Sequence, residues 1–169
     1  MVLGGQEPNV QEVRALYLEA IDSARGTDAL VEVLEDLDLS DNPLLLGYLG
    51  SGHAMQAKHA FNPYVKYQLF TTGKGQLEAA IAADPDNAEL RFLRFTVQEN
   101  APGFLGYNND LAADKATMID FLMETEPNTG IFNHACYVTG IRCHNARGER
   151  PVVRFYPSNA GRRNRLNDE

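Results

Sequence analysis

Residues 77–93, LEAAIAADPDNAELRFL, constrain the fold more than any other stretch, because they read as one helix ending, a tight corner, and a second helix beginning. Leu77, Ala80, Ile81 and Asp84 follow the three-and-four spacing of a helix with a single apolar stripe. Pro85 stops it, since proline lacks an N–H and disfavours helical geometry in the residue before it. Asp86 or Asn87 then offers an oxygen to a free N–H at the start of the next helix. Ala88, Leu90, Phe92, Leu93, Phe95 and Val97 make that second helix apolar around much of its circumference, as expected of a helix packed between neighbours.

Two further prolines share this setting. Pro43, Pro85 and Pro127 are spaced 42 residues apart, each beside acidic and Asn residues, and each follows an acidic, apolar run (30–39, 77–84 and 118–126). A period of 20 to 50 residues is the mark of arrays whose units bury their apolar faces on one another. The prediction is an all-α fold of six or seven helices: antiparallel hairpins stacked as a short solenoid. Its units run over about 9–42, 43–84 and 85–126, a capping helix covers 130–141, and this domain (1–146) is followed by an irregular Arg-rich tail (147–169).

The segment AAIAADPDNAELRFL resembles the boundary between two tetratricopeptide units. The chain is also similar to a group of bacterial helical proteins with related repeats, in which a segment like AELRFLRFTVQENAPGFLGYNNDLAADK recurs and which often carry an export signal. The likeness covers roughly residues 10–125. It departs from the consensus in three ways: units longer than about 34 residues, Arg91 and Arg94 where large apolar residues are favoured, and Pro102-Gly103 inside the third unit. The resemblance implies a superhelical interaction surface and supplies no catalytic residues.

In chain order, Asn9 with Glu12 forms a capping-box-like start, and Val10, Val13, Leu16, Tyr17 and Ile21 supply the buried stripe of the first helix. Gly26 is expected to end it, and Thr27 or Asp28 to cap a partner in which Leu30, Val33, Leu34 and Leu37 face inward. Glu32, Glu35, Asp36, Asp38 and Asp41 then form an acidic outer face. Asp36-x-Asp38-x-Ser40 lacks the Gly and the final Glu of a calcium loop. Gly47, Gly50, Ser51, Ala54 and Ala57 make a stripe of small residues; glycines there cost about 1 kcal/mol each against Ala, a cost offset by close approach of a neighbouring helix. Neither Gly50-Ser51-Gly52 nor Gly73-Lys74-Gly75 has the spacing of a nucleophile elbow or a P-loop. Asn62-Pro63 starts a long helix in which Tyr64, Tyr67, Phe70 and Leu77 are expected to pack inward and Gly73 and Gly75 to permit a bend. Phe104, Leu105 and Tyr107 lie in a glycine-bounded connection, placed under the stack or, alternatively, in a partner-binding loop. Asn108 or Asn109 then caps a helix over 111–125.

The net charge of −8 hides an asymmetry. Residues 142–169 hold seven arginines against three acids, a balance of +4, leaving −12 on the rest. An acidic body argues against nucleic acid, whose phosphates require Lys and Arg. No run of 18 apolar residues suggests a membrane span. The opening MVLGGQEPN lacks the features of a signal peptide, so the chain reads as cytoplasmic or as the mature part of an exported protein. Cys136 and Cys143 are too few for a disulfide scaffold.

The function expected is non-catalytic binding of a peptide or protein partner, with no cofactor or metal, and homo-oligomerisation as a further option. Arg91 and Arg94, three apart on an apolar helix, are candidate partner-binding residues together with Phe104 and Tyr107. The role expected for the two arginines is structural, paired with Asp110 and Asp114 of the following helix, and the alternative is a clamp on a ligand carboxylate or phosphate. Two rival readings are a self-assembling structural unit and a metal-binding module or enzyme. The latter would centre on His134, Cys136, Cys143 and His144, whose HxC…CH spacing matches no standard zinc knuckle. The tail from about Arg147 is expected to be dispensable for folding and to dock, if anywhere, on the acidic face.

Overall fold

The computed structural model describes residues 8–124, with side chains through Asp120. Six α-helices follow one another: α1 (Val10–Ala20), α2 (Ala24–Leu34), α3 (Pro43–His59), α4 (Pro63–Ala83), α5 (Ala88–Asn100) and α6 (Leu111–Glu124). A single 3-10 turn, Gly103–Leu105, lies between α5 and α6. The described residues contain no strand, and none of their helices is long and apolar enough to cross a membrane. The chain divides into two compact units, the first ending at Met118 within α6, and nearly all of the second lies outside the described residues. The expected capping helix over 130–141, the tail, Pro127 and the His134–His144 cluster fall there.

Asparagine starts four of the helices. Asn9 forms a complete capping box with Glu12, and Asn42, Asn62 and Asn87 accept from the backbone N–H of Leu45, Tyr64 and Leu90 respectively. Pro43 and Pro63 occupy the first helical position, where a missing N–H costs nothing. Pro85, by contrast, follows Asp84, the C-cap of α4, and precedes the Asn87 cap of α5. Pro43 and Pro85, 42 residues apart, therefore serve different purposes, and the caps Asn9, Asn42 and Asn87 stand 33 and then 45 residues apart.

The first hairpin corrects several expectations. The turn is centred on residues 21–23, and Gly26 lies inside α2, capped by Ser23, rather than ending α1. Gly26 sits where the two helices cross most tightly, since a Cβ there would fall 2.6 Å from the Glu19 carbonyl oxygen. Thr27 is fully buried and donates to the carbonyls of Ala20 and Ser23. Helix α2 ends at Leu34, because acids accumulate where a helix C-terminus disfavours them and Ser40 turns back to Asp38 through N–H and O–H bonds of 3.2 and 2.7 Å. Those two bonds hold the exposed Asp38 carboxyl below the usual carboxylate range. Val33 is exposed, and Val31 takes the inward place beside Leu30 and Leu34.

Helix α3 is the centre of the molecule. It packs on α1, α2, α4 and α5, its most extensive contact being with α4. A helix surrounded in this way is apolar all round, which explains why LLLGYLGSG shows no single stripe. Its glycines are the contact points: a Cβ on Gly50 would lie 2.7 Å from the Gly73 carbonyl oxygen, and one on Gly52 would lie 2.8 Å from a Val31 methyl. Gly47 lies under Leu90 and Leu93 of α5. Gly73 serves this close approach, and α4 continues as one helix through it. Leu30, Leu34, Leu45, Tyr48, Leu77, Leu90 and Leu93 are essentially fully buried around this helix, each side chain contributing about 1.5–3 kcal/mol.

Consecutive helices run antiparallel. Asp28 early in α2 meets Gln56 late in α3, His53 of α3 meets Gln76 of α4, and Glu78 of α4 meets Arg94 of α5. The turns therefore sort to two ends. Residues 21–23 and 60–62 lie at one end and residues 35–42 and 84–87 at the other, while the 101–107 connection returns along α4, where Tyr107 reaches Glu78.

Candidate interaction surfaces

Helices α1, α3 and α5 pack in succession and could present a shared face to a partner. That face is filled by its own side chains. Arg14 of α1 donates to both carboxylate oxygens of Glu89 on α5, at 2.8 and 2.5 Å. The Tyr48 hydroxyl of α3 donates to the same carboxylate. Beneath this bridge Tyr17 meets Tyr48 and Phe92 edge-on, with ring centroids 5.3 and 6.1 Å apart. Burial pushes the Tyr17 and Tyr48 hydroxyls well above their ordinary range, the neighbouring Glu89 carboxylate adding to the effect on Tyr48. The Glu89 bond raises Arg14 too, fixing its charge. The sequence reading missed this bridge: Arg14 and Glu89 are 75 residues apart, and no local spacing relates them.

The second arrangement gathers three of the four candidate residues. Arg94 is buried and grips Asp114 of α6 through Nε (2.6 Å) and Nη2 (2.7 Å), while its Nη1 donates to Glu78 at 3.0 Å and lies 3.7 Å from Asp110. Arg91 donates twice to the Pro85 carbonyl oxygen, at 3.2 and 2.9 Å, and approaches Asp114 at 3.4 Å. Asp110 and Asp114 are the acids expected to meet these arginines. The bidentate bond to Asp114 raises Arg94 above its ordinary range, against the opposing effect of burial. Tyr107 donates to the other oxygen of Glu78 at 2.6 Å, packs edge-on against Phe70, and lies under the Lys74 ammonium 4.7 Å from its ring centroid. The 101–107 connection is thus fastened through Tyr107, which is buried. The residue immediately before α6 is Asp110, so neither Asn108 nor Asn109 holds the cap position.

Phe104 is separate from that group and 87% exposed. A second set of exposed aromatics lies on the turn between α3 and α4 and the first turns of α4. There Phe61 is fully exposed, Tyr64 and Tyr67 are 67% and 60% exposed, and Val65 is partly so. Of the four residues expected to pack inward, Phe70 and Leu77 do so and Tyr64 and Tyr67 do not. The reason is a mismatch of length, since α4 has 21 residues and α5 only 13, and α5 covers the C-terminal part of α4 through Arg94 and Glu78. An open hollow of about 420 Å³ borders this part of α4, lined by Val65, Tyr67, Gln68, Leu69, Thr71 and Thr72.

His53 is buried, with Nδ1 2.7 Å from Gln76 Oε1, while His59 is exposed. Among the described residues no three His, Cys, Asp or Glu side chains gather as a metal-ligand set. Compared with protein-family models, curated proteins and solved structures, the chain matches none.

Proposed function

We propose that this is a non-catalytic helical protein of the stacked-hairpin type that binds a polypeptide partner through its aromatic end. The stacked-hairpin reading is supported by α1, α3 and α5 packing in succession, with α2 and α4 against their flanks. The binding reading rests on the exposure of Phe61, Tyr64 and Tyr67 on the turn before α4 and its first turns. Large exposed aromatics mark interaction sites, because they supply rigid apolar area, with a polar tip on the tyrosines. The face shared by α1, α3 and α5 is the weaker candidate, since Tyr17, Tyr48 and Phe92 already fill it beneath the Arg14–Glu89 bridge.

The test is affinity capture with the full chain and with Phe61→Ser combined with Tyr67→Ser. The expected result is a stoichiometric polypeptide partner captured by the wild type and absent from the variant, with unchanged melting temperature. A partner retained equally by both proteins would overturn the assignment.

A further inference from the structure

A single buried side chain fastens the connection between α5 and α6. From Glu99 to Ala113 only Tyr107 is buried, and Phe104 projects into solvent. A Cβ on Gly103 or Gly106 would meet nothing within 4 Å, and Gly106 holds a φ of 61° that favours glycine. Tyr107 lies along α4 with one contact per helical turn: its ring packs on Phe70 and sits under Lys74, and its hydroxyl donates to Glu78. Helices α4 and α5 are antiparallel and Arg94 meets Glu78, so Gln98, one turn beyond Arg94 on the same face of α5, comes level with Lys74. Gln98 therefore belongs to the stretch of the α4–α5 groove that Tyr107 closes. It is 3% exposed, yet among the described residues neither its Nε2 nor its Oε1 has a hydrogen-bond partner. A buried amide with both ends unpaired disfavours the conformation that buries it.

We infer that the 101–107 connection is a lid over the α4–α5 groove, latched by Tyr107 and loosened by the unpaired amide of Gln98. Opening breaks the Tyr107–Glu78 bond and the contacts of one ring, and in return water reaches both ends of the Gln98 amide. No charge is orphaned. Glu78 keeps Arg94 through its other oxygen, and Asp114 keeps Arg94 and Arg91, so the start of α6 stays in place. Gly103 and Gly106 supply the backbone freedom on either side of the lid's tip. The groove laid bare offers the ring of Phe70, the ammonium of Lys74, one oxygen of Glu78 and the carboxamide of Gln98. It adjoins exposed Tyr67, three residues before Phe70 on the same helix, so an open lid lengthens the aromatic row of α4. The lid stands independently of the partner proposed above.

The experiment is native-state hydrogen exchange of the full chain in low concentrations of urea, read by mass spectrometry over residues 99–110 and over α3. The amides of Leu105 and Gly106 donate to the carbonyls of Pro102 and Gly103, so they report the integrity of the lid. The expected result is exchange of 99–110 through an opening that urea barely alters, at least about a hundredfold more frequent than the unfolding that exposes α3. Tyr107→Phe, which removes the latch bond, should speed that exchange about tenfold. Gln98→Met, of the same length and without the amide, should slow it about tenfold. A connection held by packing alone predicts that both variants speed it. Exchange of 99–110 only through global unfolding overturns the proposal. So does a Gln98→Met variant that exchanges faster or fails to fold, since the closed form would then satisfy the amide, through an ordered water. These outcomes leave the capture experiment untouched, because its variants lie at Phe61 and Tyr67.

Discussion

Arg94 of α5 and Asp114 of α6, 20 residues apart, meet through two parallel hydrogen bonds of 2.6 and 2.7 Å, with both side chains nearly inaccessible to water. The pair joins α6 to α5, and Glu78 extends it to α4 and, through Tyr107, to the 101–107 connection.

Breaking that pair from one side is expected to be severe. Arg94→Met leaves the Asp114 carboxylate buried with only Arg91 nearby, at 3.4 Å, and should destabilise by about 3–5 kcal/mol. Adding Asp114→Leu should recover much of the loss, because two apolar side chains remove the uncompensated charge. Urea unfolding of the single and double variants checks this; a double variant no more stable than Arg94→Met contradicts it.

Gly50 and Gly75 offer a matched pair of opposite sign. A Cβ on Gly50 collides with the backbone of α4 at Gly73, whereas one on Gly75 meets nothing within 4 Å. Gly75→Ala should therefore stabilise by up to about 1 kcal/mol through helix propensity. Gly50→Ala should destabilise by about 1–3 kcal/mol, because overpacking at a helix crossing outweighs the same gain. Differential scanning calorimetry should move the two melting temperatures in opposite directions.

Glu89 accepts from both Arg14 and Tyr48. Arg14→Ala removes a partly exposed ion pair, while Glu89→Ala also leaves the buried Tyr48 hydroxyl without its acceptor. An orphaned buried hydroxyl costs about 1–3 kcal/mol, so Glu89→Ala should be the more damaging of the two. Tyr48→Phe in the Glu89→Ala background should restore part of the stability, and a thermodynamic cycle over the three sites measures it.

Alkaline pH should weaken the fold through its tyrosines. Burial raises Tyr17, Tyr48 and Tyr107 above the value they have in the unfolded chain. The stabilisation linked to them is thus complete below about pH 10, the unfolded tyrosine value, and falls as pH rises beyond it and the unfolded state sheds protons that the native state retains. Melting followed by circular dichroism from neutral to strongly alkaline pH should show a decline beginning near that point. Substituting Tyr48 with Phe should make the decline shallower.

What the sequence determined on its own was the helices and most of their starts, because these are local matters. Asn9 with Glu12, Asn42-Pro43, Asn62-Pro63 and the corner before Ala88 supply caps and prolines within a turn of the helices they begin. The acids suited to Arg91 and Arg94 were also legible, since α6 had to pass close to α5 to leave those arginines paired. What only the tertiary structure decided depended on helix length and crossing. Proline at one spacing marks a helix start at Pro43 and a helix end at Pro85. The shortness of α5 against α4, rather than any property of tyrosine, left Tyr64 and Tyr67 exposed. The contact of Arg14 with Glu89 exists only because α1 and α5 converge over α3, an approach set by the close packing of α3's glycines and small residues against its neighbours.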